Sequence, residues 1–141
     1  MSPHVSEIVV RYAETDQMGV AHHSAYLVWF EVARTDLFRK LGYAYRRLEE
    51  QGFLMPVVES GCRHLAGARY DDRLSVEARI GEVRRTRVRV EYTVRDGYEK
   101  VLAEGFTVHP FLNSEMRPQR IPAEMSAALR ADCGDPSPAE D

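Results

Sequence analysis

From Ala25 to Phe38 the chain reads AYLVWFEVARTDLF, and in its first turns apolar residues fall nearly all the way round a helical projection instead of along one stripe. The pattern predicts a helix that starts at Ser24, whose hydroxyl is a good N-cap, and stops at Gly42 after Arg39 and Lys40. A helix with so little polar surface is expected to be enclosed by protein on all sides. Ahead of it, Glu7 to Tyr12 (EIVVRY) is β-branched and aromatic enough for a first strand, which turns polar at Ala13-Glu14-Thr15-Asp16. Behind it, Tyr43 to Gln51 predicts a short second helix closed by Gly52.

Past Gly52 the period drops to two. Leu54 to Ala66 predicts a strand beginning at Pro56, followed by a turn at Tyr70-Asp71-Asp72. Leu74, Val76, Ala78 and Ile80 then alternate with polar residues, as do Val88, Val90, Tyr92 and Val94. Asp96-Gly97 is a hairpin signal leading into Lys100 to His109, which Pro110 ends. Four consecutive strands predict an antiparallel meander. Together with the first strand and the apolar helix they predict an α+β class, a curved five-stranded antiparallel sheet wrapped around a long central helix. Its open edges call for a homo-oligomer, a dimer or a dimer of dimers. Residues 1–122 form the predicted domain, and 123–141 a tail with a weak helix over Ala123 to Arg130 followed by disorder.

Composition narrows the function classes. At 141 residues, 44% hydrophobic and 29% charged, the chain fits one soluble globular domain. A formal net charge of -3 gives no support for a nucleic-acid partner, although Arg84, Arg85, Arg87 and Arg89 form a local basic cluster suited to a small phosphorylated ligand. No apolar run reaches membrane-spanning length and the N-terminus lacks a signal-peptide pattern, so a cytoplasmic location is expected. Cys62 and Cys133 read as reduced structural thiols.

The chemistry concentrates just before the long helix. Asp16 lies between a strand end and a helix start, where a carboxylate can be partly desolvated and still reach a ligand, as a nucleophile or general base requires. Glu14 offers the same chemistry at less depth. His23 abuts the helix N-terminus, whose free N–H groups and positive dipole end can hold an oxyanion. Tyr12 stands four residues before Asp16 and can orient it, or be a half-buried strand aromatic. The His22-His23 pair has no HExxH or cysteine-rich company, so no metal site is expected. Glu31 and Arg34, three apart on the apolar helix, are expected to form a buried ion pair. Serine-hydrolase elbows, Walker loops and GxGxxG fingerprints are missing.

The stretch Tyr12-Ala-Glu-Thr-Asp16-Gln-Met-Gly19-Val-Ala-His-His23-Ser-Ala-Tyr26-Leu-Val-Trp-Phe-Glu31-Val-Ala-Arg34 resembles the signature of hotdog-fold acyl-CoA thioesterases of the 4-hydroxybenzoyl-CoA thioesterase type. Leu65-Ala-Gly-Ala-Arg69-Tyr70-Asp71-Asp72, Glu82-Val-Arg84-Arg85 and Ala103-Glu104-Gly105 extend the likeness to about Val9 to Pro122. The resemblance implies hydrolysis of acyl-CoA to free acid and CoA, with no cofactor beyond the CoA of the substrate and the acyl chain entering between subunits, Asp16 of one chain facing the helix of the other. It assigns Asp16 as nucleophile or water-activating base, the His23 backbone N–H as the oxyanion donor, and Tyr12 and the His23 ring as assisting groups. Arg84 and Arg85 become candidates for holding the CoA phosphates. His22 stands where an aromatic is usual and Gly67 where proline is usual, which implies a differently shaped acyl pocket. A hotdog hydratase or dehydratase, and a non-catalytic acyl-CoA or acyl-carrier binding module, are the alternatives.

Overall fold

A computed structural model of the chain describes residues 4–134. In chain order the elements are β1 (His4–Val9), a 3₁₀ turn (Tyr12–Glu14), α1 (His23–Lys40), α2 (Tyr45–Glu50), β2 (Glu59–His64), β3 (Arg73–Val83), β4 (Arg87–Arg95), β5 (Val101–Pro110) and α3 (Ala123–Cys133). The strands form one five-stranded sheet in the order β1-β3-β4-β5-β2, with every neighbouring pair antiparallel. The expected curved sheet with a central helix is the observed architecture, a hotdog fold. Its meander is shorter than predicted: only β3, β4 and β5 follow one another, while β2 pairs with the far side of β5. The predicted turn is present, closed by Asp72 N donating to Arg69 O at 3.1 Å, but residues 65–72 as a whole do not fold β3 back onto β2. They cross the end of the sheet and bond to the chain after β1, with Ala68 O accepting from Ala21 N at 2.7 Å and Asp71 N donating to Val10 O at 2.8 Å. The same contacts end β1 at Val9 and not at Tyr12, because Val10 N is taken by Asp72 O and the chain coils into the 3₁₀ turn.

Helix α1 lies in the concave face of the sheet. Its buried side carries Ala25, Tyr26, Trp29, Phe30, Ala33, Arg34, Leu37 and Phe38. Phe30 stacks on Tyr92 at 4.2 Å between centroids, and Gly105 makes this approach feasible, since a Cβ there would lie 2.6 Å from the Phe30 ring and 2.5 Å from Gly61 O. The expectation of enclosure on all sides is corrected: Leu27, Val28 and Val32 are 44%, 47% and 39% exposed, so one chain covers only half of the helix. The N-cap differs as well. It is His22, whose Nδ1 accepts from Ser24 N at 3.2 Å, while Gly42, with φ at 92°, follows the C-cap as predicted. Helix α3 runs three residues past Arg130, to Cys133, and buries Met125 and Leu129 in the core. The predicted disorder after it falls largely on 135–141, outside the described residues.

The Glu31–Arg34 ion pair does not form. Glu31 is exposed, whereas Arg34 is buried and turns toward the sheet, donating from Nε to the Tyr45 hydroxyl (2.9 Å) and from Nη1 to the Tyr92 hydroxyl (3.1 Å). The polar chain continues from Tyr92 to Thr107 Oγ1 (2.6 Å), to His109 Nε2 (2.7 Å), and from His109 Nδ1 to Met55 O (3.2 Å). Because a guanidinium can only donate and a carbonyl can only accept, every proton between them is assigned: Tyr92 donates to Thr107, Thr107 to His109 Nε2, and His109 Nδ1–H to Met55. This requires a neutral imidazole. Burial, reinforced by the Arg34 charge, lowers the His109 pKa from 6.5 to about 4. In the unfolded chain the ring takes up its proton near pH 6.5, so stability is complete above that pH and declines as pH falls toward 4, where the folded state also protonates. Denaturant unfolding of the wild type is expected to show this decline between pH 6.5 and 4, and His109→Gln, lower in stability at neutral pH, is expected to show a flatter dependence over the same interval.

Candidate active site

The site is a short loop tied to a helix start. Thr15 bridges Ala21 antiparallel, Asp16 N donates to Val20 O (3.0 Å) and Gly19 N to Asp16 O (3.0 Å), with Gly19 at a φ of 81° that suits glycine. His22 N then donates to Glu14 O at 2.7 Å, so the loop closes on itself directly before α1. Asp16 therefore sits beside the N-terminus of its own helix. Its carboxylate is half-buried; Oδ1 accepts from Met18 N at 2.9 Å, and Oδ2 has no donor among the described residues. His23 is the first residue of α1, and its backbone N–H has no acceptor among the described residues. The same short loop thus carries a carboxylate oxygen without a donor and, seven residues on, an unused amide at the positive end of an 18-residue helix.

Glu14 has a different part from the one its sequence position suggested. It is deeper than Asp16, not shallower, at 8% exposure. Its carboxylate accepts from Arg11 N (2.8 Å), Arg11 Nη2 (3.2 Å) and the indole Nε1 of Trp29 (3.0 Å), binding the loop to the inner side of α1. Burial acts to raise its pKa, but the Arg11 backbone and side-chain bonds and the Trp29 bond outweigh it and leave the group below its ordinary 4.5. Nothing in the sequence pairs Glu14 with a tryptophan fifteen positions away, so this clamp escaped the sequence reading.

The remaining candidates separate. Tyr12 is 77% exposed and packs edge-on against Tyr70 at 5.6 Å, and its hydroxyl has no partner among the described residues. The His23 ring is exposed and lies 4.2 Å from that of His22, which is engaged with Ser24. Arg84 and Arg85 occupy the β3–β4 turn, with Arg84 bonded to Glu82 and the carbonyl of Arg85 accepting from Ile121 N. The Asp16 loop meets the other end of β3, through Ala68 and Asp72. An 11-residue strand spans about 35 Å, so within one chain these arginines stand far from the carboxylate.

The curved five-stranded sheet around α1 defines a hotdog-fold protein. The description of the Thioesterase superfamily matches residues 18–103, and the chain belongs to that family. Acyl-CoA thioesterase YbgC of Haemophilus influenzae is 31% identical over 121 residues, covering 85% of this chain and 89% of that protein. The crystal structure of hypothetical protein TT1821 from Thermus thermophilus superposes with a TM-score of 0.87 at 41% identity, covering 92% of this chain and 98% of that one. A Bacillus subtilis relative, YneP, is 59% identical over 58 residues, a match that spans 40% of this chain and only 42% of the relative's length.

Replacing Glu14 by Ala strands the Trp29 and Arg11 N–H groups and is expected to lower the unfolding free energy by about 2–3 kcal/mol. Glu14→Gln is expected to cost less, and its deficit to close at low pH. A carboxylate with a depressed folded pKa stabilises above the ordinary value of 4.5 and ceases to as pH falls through the folded value, where the protonated acid resembles the amide. Urea melts of the three proteins at pH 7 and pH 3 read both effects.

Proposed function

We propose that the protein hydrolyses acyl-CoA thioesters, with Asp16 as the reacting acid and the His23 amide as the oxyanion donor. The observation that carries this reading is the free carboxylate oxygen of Asp16 on the loop that leads to the unused N–H at the start of α1. The names of the Haemophilus relative and the family supply the substrate class. A thioester carbonyl is electrophilic and a thiolate leaves readily, so one carboxylate and one well-placed donor suffice. In one route Asp16 attacks the carbonyl carbon, the C–S bond breaks, CoA leaves as the thiolate, and water then hydrolyses the mixed anhydride to regenerate the carboxylate. In the other, Asp16 takes a proton from a water that attacks the same carbon, and the C–S bond breaks with proton return to sulfur. In both, negative charge builds on the carbonyl oxygen, and the helix end stabilises it. Tyr12 and the exposed His23 ring are assigned to the rim, in contact with the CoA portion of the substrate.

The working unit in this proposal is a homodimer. Leu27, Val28 and Val32 on the outer side of α1 and Val57 and Val58 ahead of β2 are exposed, and the outer edge of β2 has no strand partner among the described residues; a second copy complements them. Antiparallel pairing of two β2 strands sets the far end of one sheet beside the Asp16 end of the other. The partner subunit's Arg84 and Arg85 then take the CoA phosphates that a single chain's own arginines are too distant to reach.

Asp16→Asn is expected to retain the wild-type melting curve and to lose at least a thousandfold in kcat across a panel of acyl-CoA substrates followed by thiol release. Turnover at the parental rate, or products with an altered double bond and no free thiol, would overturn the assignment. Val28→Lys with Val58→Lys is expected to give a monomer by light scattering, with kcat/KM reduced at least tenfold.

A further inference from the structure

A cavity of about 210 Å³ lies between α2 and the segment before β2, lined by Tyr45, Leu48, Phe53, Leu54, Met55 and Met116. It shares no lining residue with the Asp16 loop. The α1 residue closest to it in the hydrogen-bond network, Arg34, stands eleven positions beyond His23, about 16 Å along the helix axis. Nearly all of its lining is apolar. The exceptions are Glu49, exposed to water at the rim, and Tyr45.

Tyr45 ties this cavity to the buried network. Its oxygen accepts from Arg34 Nε at 2.9 Å, which leaves the hydroxyl proton to be donated elsewhere, and no acceptor for it exists among the described residues. Arg34 itself is 6% exposed and has only the Tyr45 and Tyr92 hydroxyls as partners, with no carboxylate in ion-pair range among the described residues. The carboxylate of Glu31 affects Tyr45 only from an exposed position, where water screens it. One wall of the cavity is thus Tyr45, a residue with an uncommitted hydroxyl proton backed by a buried, unneutralised cation. Buried charges are normally paired. An anionic oxygen at the Tyr45 hydroxyl satisfies both deficits at once.

We propose that this cavity binds the carboxylate form of a small apolar acid, with the carboxylate accepting from Tyr45 and the hydrocarbon among Leu48, Phe53, Leu54 and Met116. The volume corresponds to about seven water molecules, the size of a short aliphatic or single-ring acid. The site stands on its own geometry and does not require Asp16 to be catalytic. If thioester cleavage occurs at Asp16, this is a second place for the acid it releases.

The test uses the full chain with ¹³C-labelled methionine methyl groups. Met55 and Met116 line the cavity, and Met18 is on the Asp16 loop at the other end of α1. Titration with hexanoate or benzoate is expected to shift the Met55 and Met116 signals saturably and to leave Met18 in place. Tyr45→Phe is expected to weaken hexanoate binding about tenfold without changing that of the neutral comparator hexanol, and Leu54→Trp, which fills the cavity, to abolish the response to both. No saturable shift in the wild type, a shift confined to Met18, equal affinity for hexanoate and hexanol, or wild-type affinity in folded Tyr45→Phe would each overturn the proposal. Should Tyr45→Phe lose its signal dispersion, the hexanol and Leu54→Trp measurements decide.

Discussion

The carboxylate of Glu14 fixes how β1 is joined to α1, and the site depends on that join. Three N–H groups converge on it, two from Arg11 at the end of the first strand and one from Trp29 in the second turn of the helix. Its carbonyl receives the amide of His22, the N-cap. Without this anchor the loop bearing Asp16 would keep its internal turn bonds and the Ala21 N to Ala68 O bond to the segment before β3, but no side-chain tie to the inner face of the helix. The charge is deeply placed yet stable there because each of its donors is worth more in a poorly hydrated setting than in water. Glu14 holds the loop, and Asp16, two residues on, keeps one carboxylate oxygen without a donor among the described residues.

Much of the architecture could be read from periodicity. Alternation along β3 and β4 follows directly from one wet and one dry face, and the glycines at 42 and 52 mark helix ends where the backbone turns left-handed. Pairing partners were less visible. The sequence of β2 shows which residues extend but nothing that selects β5 over β3, since the choice is made by residues 65–72 docking on the loop after β1. Asp16 and the His23 amide were legible because a strand end, a polar loop and a helix start are local features. Glu14 to Trp29, and Arg34 to Tyr45 and Tyr92, are contacts between distant positions, and no spacing rule encodes them. Glu31 and Arg34 show the limit of such rules: a three-residue interval permits an ion pair, yet the arginine finds hydroxyls toward the sheet while the glutamate stays in water.

The hydrogen-bonded chain from Arg34 to Met55 gives the core an internal direction. Its two ends are chemically incapable of reversing roles, so the hydroxyls and imidazole between them have a single consistent set of proton positions. A core built this way resists substitution differently from a purely apolar one. Removing a member breaks the sequence of donors at that point and leaves a buried group on either side without its partner, so the cost extends beyond the volume lost.

Helix α1 has its inner residues locked against the sheet and an outer row of aliphatic side chains that one chain leaves uncovered. Its tolerant positions are the exposed polar ones, such as Glu31, Arg39 and Lys40. The hairpin tips, by contrast, lie away from both surfaces of the rod. A substitution at a packed position of the rod is therefore felt by the sheet on one side or by the aliphatic row on the other, whereas a change at a hairpin tip touches neither.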